Sequence, residues 1–160
     1  MKPALLSLLL LASVPALAQT APPVGQESTE PFKGANEILI HTPDSTSVAL
    51  KKLAREMIVA GIEPDKIEPE IGYLTTKPKA VGQLTPASFS YKVVSSSEPG
   101  GTLLRITGDY TVKLNMVSSM TNPMYWVKGN LLQAKQCFVA IQPVALAYPG
   151  GKVAYRQSGK

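Results

Sequence analysis

The chain has 160 residues and a formal net charge of +5, with 16 basic and 11 acidic side chains scattered along it. This length suits a single domain that can bury a core of its own. Nucleic-acid binding normally requires a concentrated basic face with interleaved aromatic residues, and the mild, scattered charge of this chain therefore excludes nucleic acid as the expected partner.

The first 18 residues have the layout of a secretory signal peptide. Lys2 gives a positive start, residues 4–14 are almost wholly aliphatic, and residues 16–18 (ALA) place small side chains where a signal peptidase cuts. An apolar run of this length is too short to cross a bilayer, which takes roughly 20 residues. The sequence therefore predicts an exported protein, periplasmic or extracellular, after signal cleavage near Ala18/Gln19.

The predicted mature chain starts with a leader. Residues 19–34 are rich in Pro, Gly, Ser, Thr and Gln and lack periodic apolar residues, which is typical of a flexible segment. We expect the folded domain to occupy residues 35–160. The single cysteine, Cys137, excludes an internal disulfide and lies among apolar residues. We interpret it as a buried, inert thiol, with a reactive or intermolecularly bonded thiol as the alternative.

A strand and a helix are predicted at the start of the domain. Residues 37–41 (EILIH) form a short apolar run that favours a buried strand. Thr42 and Asp44 are alternative N-caps for a following helix. From residue 45 to residue 60, apolar residues recur at three- and four-residue spacing with charged residues on the other side, and Gly61 is expected to end this amphipathic helix.

The middle of the chain is predicted to be mostly β structure. Residues 63–69 are interpreted as a turn, residues 70–76 as a strand and residues 77–86 as a loop. Apolar and polar residues then alternate over residues 88–93 and again over residues 104–114, on either side of a Pro-Gly-Gly turn. A period of two in both arms predicts an antiparallel hairpin with one buried and one solvent-facing side.

The last third of the chain allows more than one interpretation. Helical spacing from Pro123 to Ala147 allows one long helix, although Gly129 weakens its start and Pro143 kinks its end. Residues 152–156 add an optional short edge strand. The order β-α-β-β-β-α, with a possible final β, predicts an α+β two-layer sandwich in which two helices cover one face of an antiparallel sheet.

Two segments carry a resemblance to known proteins. Residues 72–76 (GYLTT) and 147–153 (AYPGGKV), with this element order, resemble small uncharacterised exported proteins of Bacteroidetes-type bacteria. The resemblance covers most of the mature chain, and its motifs are turns and strand ends. It implies export and an α+β fold, and it brings no activity and no site residues with it.

The only histidine, His41, suggests an enzymatic hypothesis. Asp44 lies three residues further on, so His41 could act as a general base oriented by Asp44 in a small secreted hydrolase. The simpler interpretation is a strand-end histidine bonded to the helix-cap region, because no nucleophile motif accompanies it. A dyad with Cys137 would require the fold to bring the two side chains together.

Metal and cofactor sites are not predicted. One histidine and one cysteine fall short of the three or four ligands that zinc takes. Acidic side chains crowd the turn after the first helix, but they lack the spacing of a calcium-binding EF loop: Glu63, Asp65, Glu68 and Glu70. We interpret this run as a solvated acidic turn, and we expect no cofactor.

The best candidate for recognition is the stretch from residue 116 to residue 126. Flexible methionines and an amphipathic indole suit an adaptable binding surface. The predicted contact surface consists of Met116, Met120, Met124, Tyr125 and Trp126. The alternative is a lid whose large side chains fold over one end of the core.

The predicted function follows from the compartment and this stretch. We expect an exported, non-enzymatic binding or structural accessory domain of the cell envelope, whose partner is a protein or another envelope component. The alternative is the small hydrolase that uses His41 as its general base.

Overall fold

A computed structural model describes residues 22–81, 87–114, 118–129 and 133–159. Within these ranges the chain forms two helices and nine strands of one antiparallel sheet, which confirms the predicted α+β class. The predicted signal peptide, residues 1–18, lies outside the described residues. Neither helix in the described ranges is long and apolar enough to cross a membrane.

The sheet is built from strands of very different length. The strands are β1 (Glu27–Ser28), β2 (Glu37–Thr42), β3 (Pro64–Glu68), β4 (Tyr73–Thr76), β5 (Lys79–Val81), β6 (Ala87–Glu98), β7 (Gly101–Lys113), β8 (Ser119–Pro123) and β9 (Lys152–Arg156), and the helices are α1 (Thr46–Val59) and α2 (Gln133–Leu146). Neighbouring strands follow the order β1-β9-β2-β7-β6-β4-β3, with β5 beside β6 and β8 beside β7.

The antiparallel hairpin of β6 and β7 confirms the prediction made from the alternating pattern. Its register runs from the pair Ala87 and Val112 to the pair Glu98 and Gly101 at the turn. Directly opposite residues of an antiparallel pair project on the same side of the sheet. Phe89, Tyr91 and Val93 of β6 and Leu104 and Ile106 of β7 accordingly join one buried core.

Helix α1 is the predicted amphipathic helix, but both proposed N-caps are wrong. The N-cap residue is Ser45, and its side chain makes no capping bond. The Thr42 hydroxyl donates to the Asp44 carboxylate at 3.1 Å, and its oxygen accepts the Asp44 N–H at 3.2 Å instead of a helix N–H. The same carboxylate accepts bonds from Lys52 and Tyr148 at 2.8 and 2.7 Å. A charged and a phenolic donor therefore outcompete the helix amides for Asp44.

The C-terminal end of α1 is the one the sequence predicts. Gly61 has a positive φ of 69°. Its N–H donates to the Ile58 carbonyl, and the Ile62 N–H donates to the Met57 carbonyl. This pair of bonds is a Schellman motif, in which glycine adopts the left-handed conformation without a steric penalty.

Four short strands were not expected from the sequence. β3 replaces the turn predicted at residues 63–69, and β5 lies in the loop predicted at residues 77–86, of which residues 82–86 are outside the described part. β1 and β8 are the other two. Each has at most five residues and is held by backbone bonds to a neighbouring strand, so it needs no alternating pattern of its own.

The C-terminal third does not form the one long helix that the sequence allowed from Pro123 to Ala147. Pro123 ends strand β8, and α2 begins at Gln133. The Met124 N–H donates to the Gly108 carbonyl of β7 at 2.7 Å, so this backbone is bonded to the sheet and not to a helix. The optional last strand is present as β9, and it lies between β1 and β2 instead of at an edge.

Residues 22–34 differ from the predicted flexible leader, because they are bonded to the sheet. β1 pairs with β9, and the Gly25 N–H donates to the Gln157 carbonyl at 2.9 Å. Phe32 is partly buried against the core. Two register pairs and one aromatic side chain leave no periodic pattern in a sequence, which is why composition alone indicated a flexible segment.

Close backbone approach at Gly101 gives a test of the fold. A Cβ at this position would overlap the Thr42 carbonyl and lie 2.8 Å from Pro43 Cα, so the hairpin and the connection to α1 would have to separate. We expect Gly101→Ala to lower the free energy of unfolding by about 1–3 kcal/mol. Gly159→Ala is the matched control, because its Cβ meets only Val24 Cγ1 at an ordinary 3.5 Å. Equal urea midpoints for the two variants would contradict this packing.

Candidate functional site

The predicted contact stretch divides into three environments. Met120 lies in β8 and is 50% exposed, whereas Met124 is fully buried. Tyr125 and Trp126 are partly buried. Met116 lies outside the described residues. Met124 therefore belongs to the core, and the exposed part of the stretch is centred on Met120.

Met124 is buried because β7 has a glycine beneath it. A side chain at Gly108 would come within 2.8 Å of both Met124 Sδ and Tyr91 Cδ1. The missing side chain leaves the space that the Met124 thioether and the Tyr91 ring occupy. Residue 124 thus ties the end of β8 to the centre of the hairpin.

Trp126 is held by the leader. Its backbone N–H donates to the Ala35 carbonyl at 2.7 Å, and its backbone carbonyl accepts the Gly34 N–H at 2.9 Å. The Lys135 ammonium lies 5.5 Å from the centre of the indole, within range of a cation–π interaction. The ring is partly buried against the core. The backbone of Trp126 is therefore anchored, and its side chain has limited exposure.

Strand β8 has one face that continues the polar side of the hairpin and a second face that carries Met120 and Asn122. Thr121 lies opposite Thr111, and their hydroxyl oxygens are 2.8 Å apart. Met120 lies opposite Val112 on the other face. Leu114, which follows β7, is 62% exposed and adds apolar surface near this end of the sheet.

Among the described residues β8 pairs only with β7, so its outer edge is a free strand edge. It contains no charged residue between Ser119 and Pro123. The edge strand β3, in contrast, contains Asp65, Lys66 and Glu68. Charged residues on an edge oppose pairing with another chain, and β8 lacks this protection apart from its final proline.

His41 lies between two carboxylates that the sequence did not connect to it. Its Nδ1 is 2.9 Å from Glu98 Oε1, and its Nε2 is 2.9 Å from Glu27 Oε2. Burial lowers the pKa of His41, but the hydrogen bonds and charges of Glu98 and Glu27 outweigh it and leave the pKa above its ordinary value. Asp44 does not orient His41.

This arrangement differs from that of a general base. Both ring nitrogens of His41 are engaged by carboxylates, so neither is directed at a substrate or a nucleophile. No sequence signal could have revealed the two partners, because they lie 14 and 57 residues from His41 along the chain.

Asp44 belongs to a different cluster, at an open groove between the start of α1 and the hairpin turn. The groove is lined by hydroxyl-bearing residues, among them Ser47, Ser97 and Thr102. Hydrogen bonds from Lys52 and Tyr148 lower the pKa of Asp44. Burial raises the pKa of Tyr148 to about 12. These partners hold the carboxylate in place, which makes it a structural group at the N-terminal end of α1.

Cys137 has the burial expected of an inert thiol. It is fully buried in α2, its Sγ lies 3.7 Å from the Asp109 carbonyl, and burial raises its pKa to about 12. The Tyr91 hydroxyl donates to the Cys137 carbonyl at 2.9 Å. The structure does not bring Cys137 to His41, whose ring is bonded to Glu27 and Glu98.

The acidic run after α1 does not form a metal cluster in the structure. Glu63 pairs with Lys77 at 3.0 Å. Within the part of the chain that the structure covers, no three His, Cys, Asp or Glu side chains are arranged to hold an ion.

Comparison with known proteins gives no family assignment for the chain. No protein-family model matches the sequence. No curated protein is similar to it at a significant level. Functional inference therefore rests on the described surfaces.

Met120 and Met124 test whether this stretch is a contact surface or a lid over the core. Met124→Ala removes a fully buried side chain seated on Gly108, and we expect it to lower the free energy of unfolding by about 2–5 kcal/mol. Met120→Ala, the matched change on the exposed strand, should alter it by less than about 0.5 kcal/mol. Chemical denaturation of both variants measures this, and a large loss for Met120→Ala would make the whole stretch a core lid.

Proposed function

We propose that the protein is exported after signal cleavage near Ala18/Gln19 and acts as a non-enzymatic binding or structural accessory module of the cell envelope. Its contact surface is the outer edge of β8 with the Met120 side chain, flanked by Tyr125 and Trp126. The partner is a protein or another envelope component, not a nucleic acid. The single observation that carries this proposal is the uncharged outer edge of β8.

The chemistry of β8 defines the kind of partner segment. A strand that adds to a sheet edge gains backbone hydrogen bonds, and its alternate side chains meet the two faces of that sheet. On one face it would meet the exposed thioether of Met120, and on the other the hydroxyl of Thr121. A partner segment that alternates apolar and small polar residues fits both faces.

The hydrolase alternative lacks such support. A general base needs a ring nitrogen within hydrogen-bond reach of the proton that it removes. In His41 one nitrogen faces Glu98 and the other faces Glu27, each at 2.9 Å. This geometry favours a structural role for His41 over a catalytic one.

We also propose the two-layer arrangement in which both helices cover the same side of the sheet. Leu50 and Leu53 of α1 and Phe138 and Ile141 of α2 belong to one buried cluster. That cluster includes Ile38, Ile40, Leu104 and Ile106, which are cross-strand neighbours on one side of β2 and β7. Leu39, between the two isoleucines, is buried but lies outside the cluster, as alternation along a strand requires.

Export is tested by the start of the native chain. If the signal peptide is cut as proposed, intact-mass and N-terminal analysis of protein from its own cells should show a chain that begins at or near Gln19. The matched variant replaces Ala18 with a bulky residue, Ala18→Phe, which blocks the small-residue site and should leave the signal attached. Wild-type protein recovered from the cytoplasm with Met1 intact would refute export.

The contact surface is tested by photo-crosslinking in the native cell. A photoreactive residue in place of Met120 should give a discrete adduct, because this side chain flanks the proposed pairing edge. Val139 of α2 is the matched control, since it is a similarly exposed apolar residue, at 43% against 50%, on a different element. We expect no adduct from residue 139. Equal adducts from both residues, or none from residue 120, would contradict the proposed surface.

A further inference from the structure

The segment around β1, residues 22–30, is attached to the sheet by a small number of contacts. β1 contributes two register pairs with β9, at Arg156 and Tyr155. The Gly25 N–H donates to the Gln157 carbonyl. A side-chain link also leaves β1, the bond of Glu27 to His41, a residue of β2. This link reaches past β9 and joins the segment to the interior of the sheet.

We propose that His41 is a proton-operated clasp, which holds the segment around β1 over the outer edge of β9 when its ring is protonated and releases it when the ring is neutral.

The geometry requires both ring protons. Each His41 nitrogen faces a carboxylate oxygen at 2.9 Å, and a carboxylate can only accept a hydrogen bond. The imidazolium ring has two N–H donors and satisfies both Glu27 and Glu98. A neutral ring has one donor, so one carboxylate then faces a nitrogen lone pair.

The two carboxylates differ in how firmly their backbones are held. Glu98 ends β6 and is paired with Gly101 in the long hairpin. Glu27 lies in β1, which has two residues. When the ring loses its second proton, Glu98 stays in place because its backbone is fixed, and Glu27 separates because only a short strand holds it.

The other charged group that faces His41 does not replace the clasp. Lys152 of β9 is the register partner of His41, and Leu103 is its uncharged partner on β7. Arg156 of β9 is the register partner of Glu27, and its guanidinium is bonded to Glu37 at 2.7 Å. Both cations can attract a carboxylate, but neither loses a hydrogen bond when His41 loses its proton. The proton-dependent part of the attachment therefore comes from His41 itself.

The direction of the pH dependence follows from the pKa of His41. Burial lowers this pKa, but the bonds and charges of Glu98 and Glu27 outweigh burial and raise it above 6.5 in the folded protein. A group whose pKa is raised on folding stabilises the closed form fully below its ordinary pKa and loses this effect as pH rises through the raised value. The clasp is therefore closed in acid and opens toward alkaline pH.

Opening changes which strand forms the edge of the sheet. With β1 released, the outer side of β9 is uncovered at Tyr155 and Arg156, the two positions that β1 occupies. β9 has five residues and would become an edge that another strand can join. The inference does not depend on the proposed function at β8, because it concerns the outer edge of a different strand, β9.

The clasp can be tested by NMR on the purified protein. His41 is the only histidine, so its imidazole titration is unambiguous. Its midpoint should lie above 6.5. The protection factor of the Gly25 amide, which corrects for the intrinsic pH dependence of exchange, should fall about two- to fivefold as pH rises through that midpoint.

Two matched variants decide the matter, and both change exposed side chains, so both should fold. Glu27→Gln should lower the His41 midpoint and remove the pH dependence of Gly25 protection. Glu30→Gln makes the same change three residues further along the segment and should leave both values as in the wild type. A wild-type midpoint at or below 6.5, Gly25 protection independent of pH, or equal effects of the two variants would each overturn the proposal.

Discussion

The pairing of β6 with β7 is the interaction on which the other elements depend. The two arms have 12 and 13 residues, whereas the strands beside them have three to six, so each arm pairs with two strands in succession. Near the turn, β4 joins β6 and β2 joins β7, whereas at the far end β5 joins β6 and β8 joins β7. One hairpin thereby supports both the central strands of the sheet and the exposed edge strand β8.

The same hairpin determines which side chains of the candidate surface are available. Gly108 of β7 leaves the space that Met124 occupies in the core, and the Thr111–Thr121 pair sets the register that leaves Met120 outside. The backbone of Trp126 is bonded to the backbone of Gly34 and Ala35. Among the described side chains of the predicted contact surface, Met120 is therefore the exposed one, and it lies beside a free strand edge.

The sequence was sufficient to predict an element where a pattern of apolar and polar residues repeats within it. Strict alternation located the hairpin, and the apolar spacing of α1 with Gly61 located that helix and its end. Short strands such as β3 and β8 could not be predicted, because backbone bonds to a neighbouring strand hold them in place. Their side chains carry no period.

Contacts between distant residues were also beyond the sequence. Asp44, three residues after His41, was the natural candidate to orient it, yet Asp44 is engaged by Lys52 and Tyr148. The partners of His41 instead come from the leader and from the hairpin turn. Both depend on strand order, and a single sequence contains no direct signal of strand order for a nine-stranded antiparallel sheet.

The central claim is that β8 presents an open pairing edge, and amide hydrogen exchange along Ser119–Asn122 tests it most directly. In an edge strand, amides that point toward the neighbouring strand are protected, and those that point outward exchange with water. We predict this alternation in the isolated protein, and uniform protection of these amides in complexes purified from the native envelope. Uniform protection in the isolated protein would show that the edge is already covered and would contradict the account.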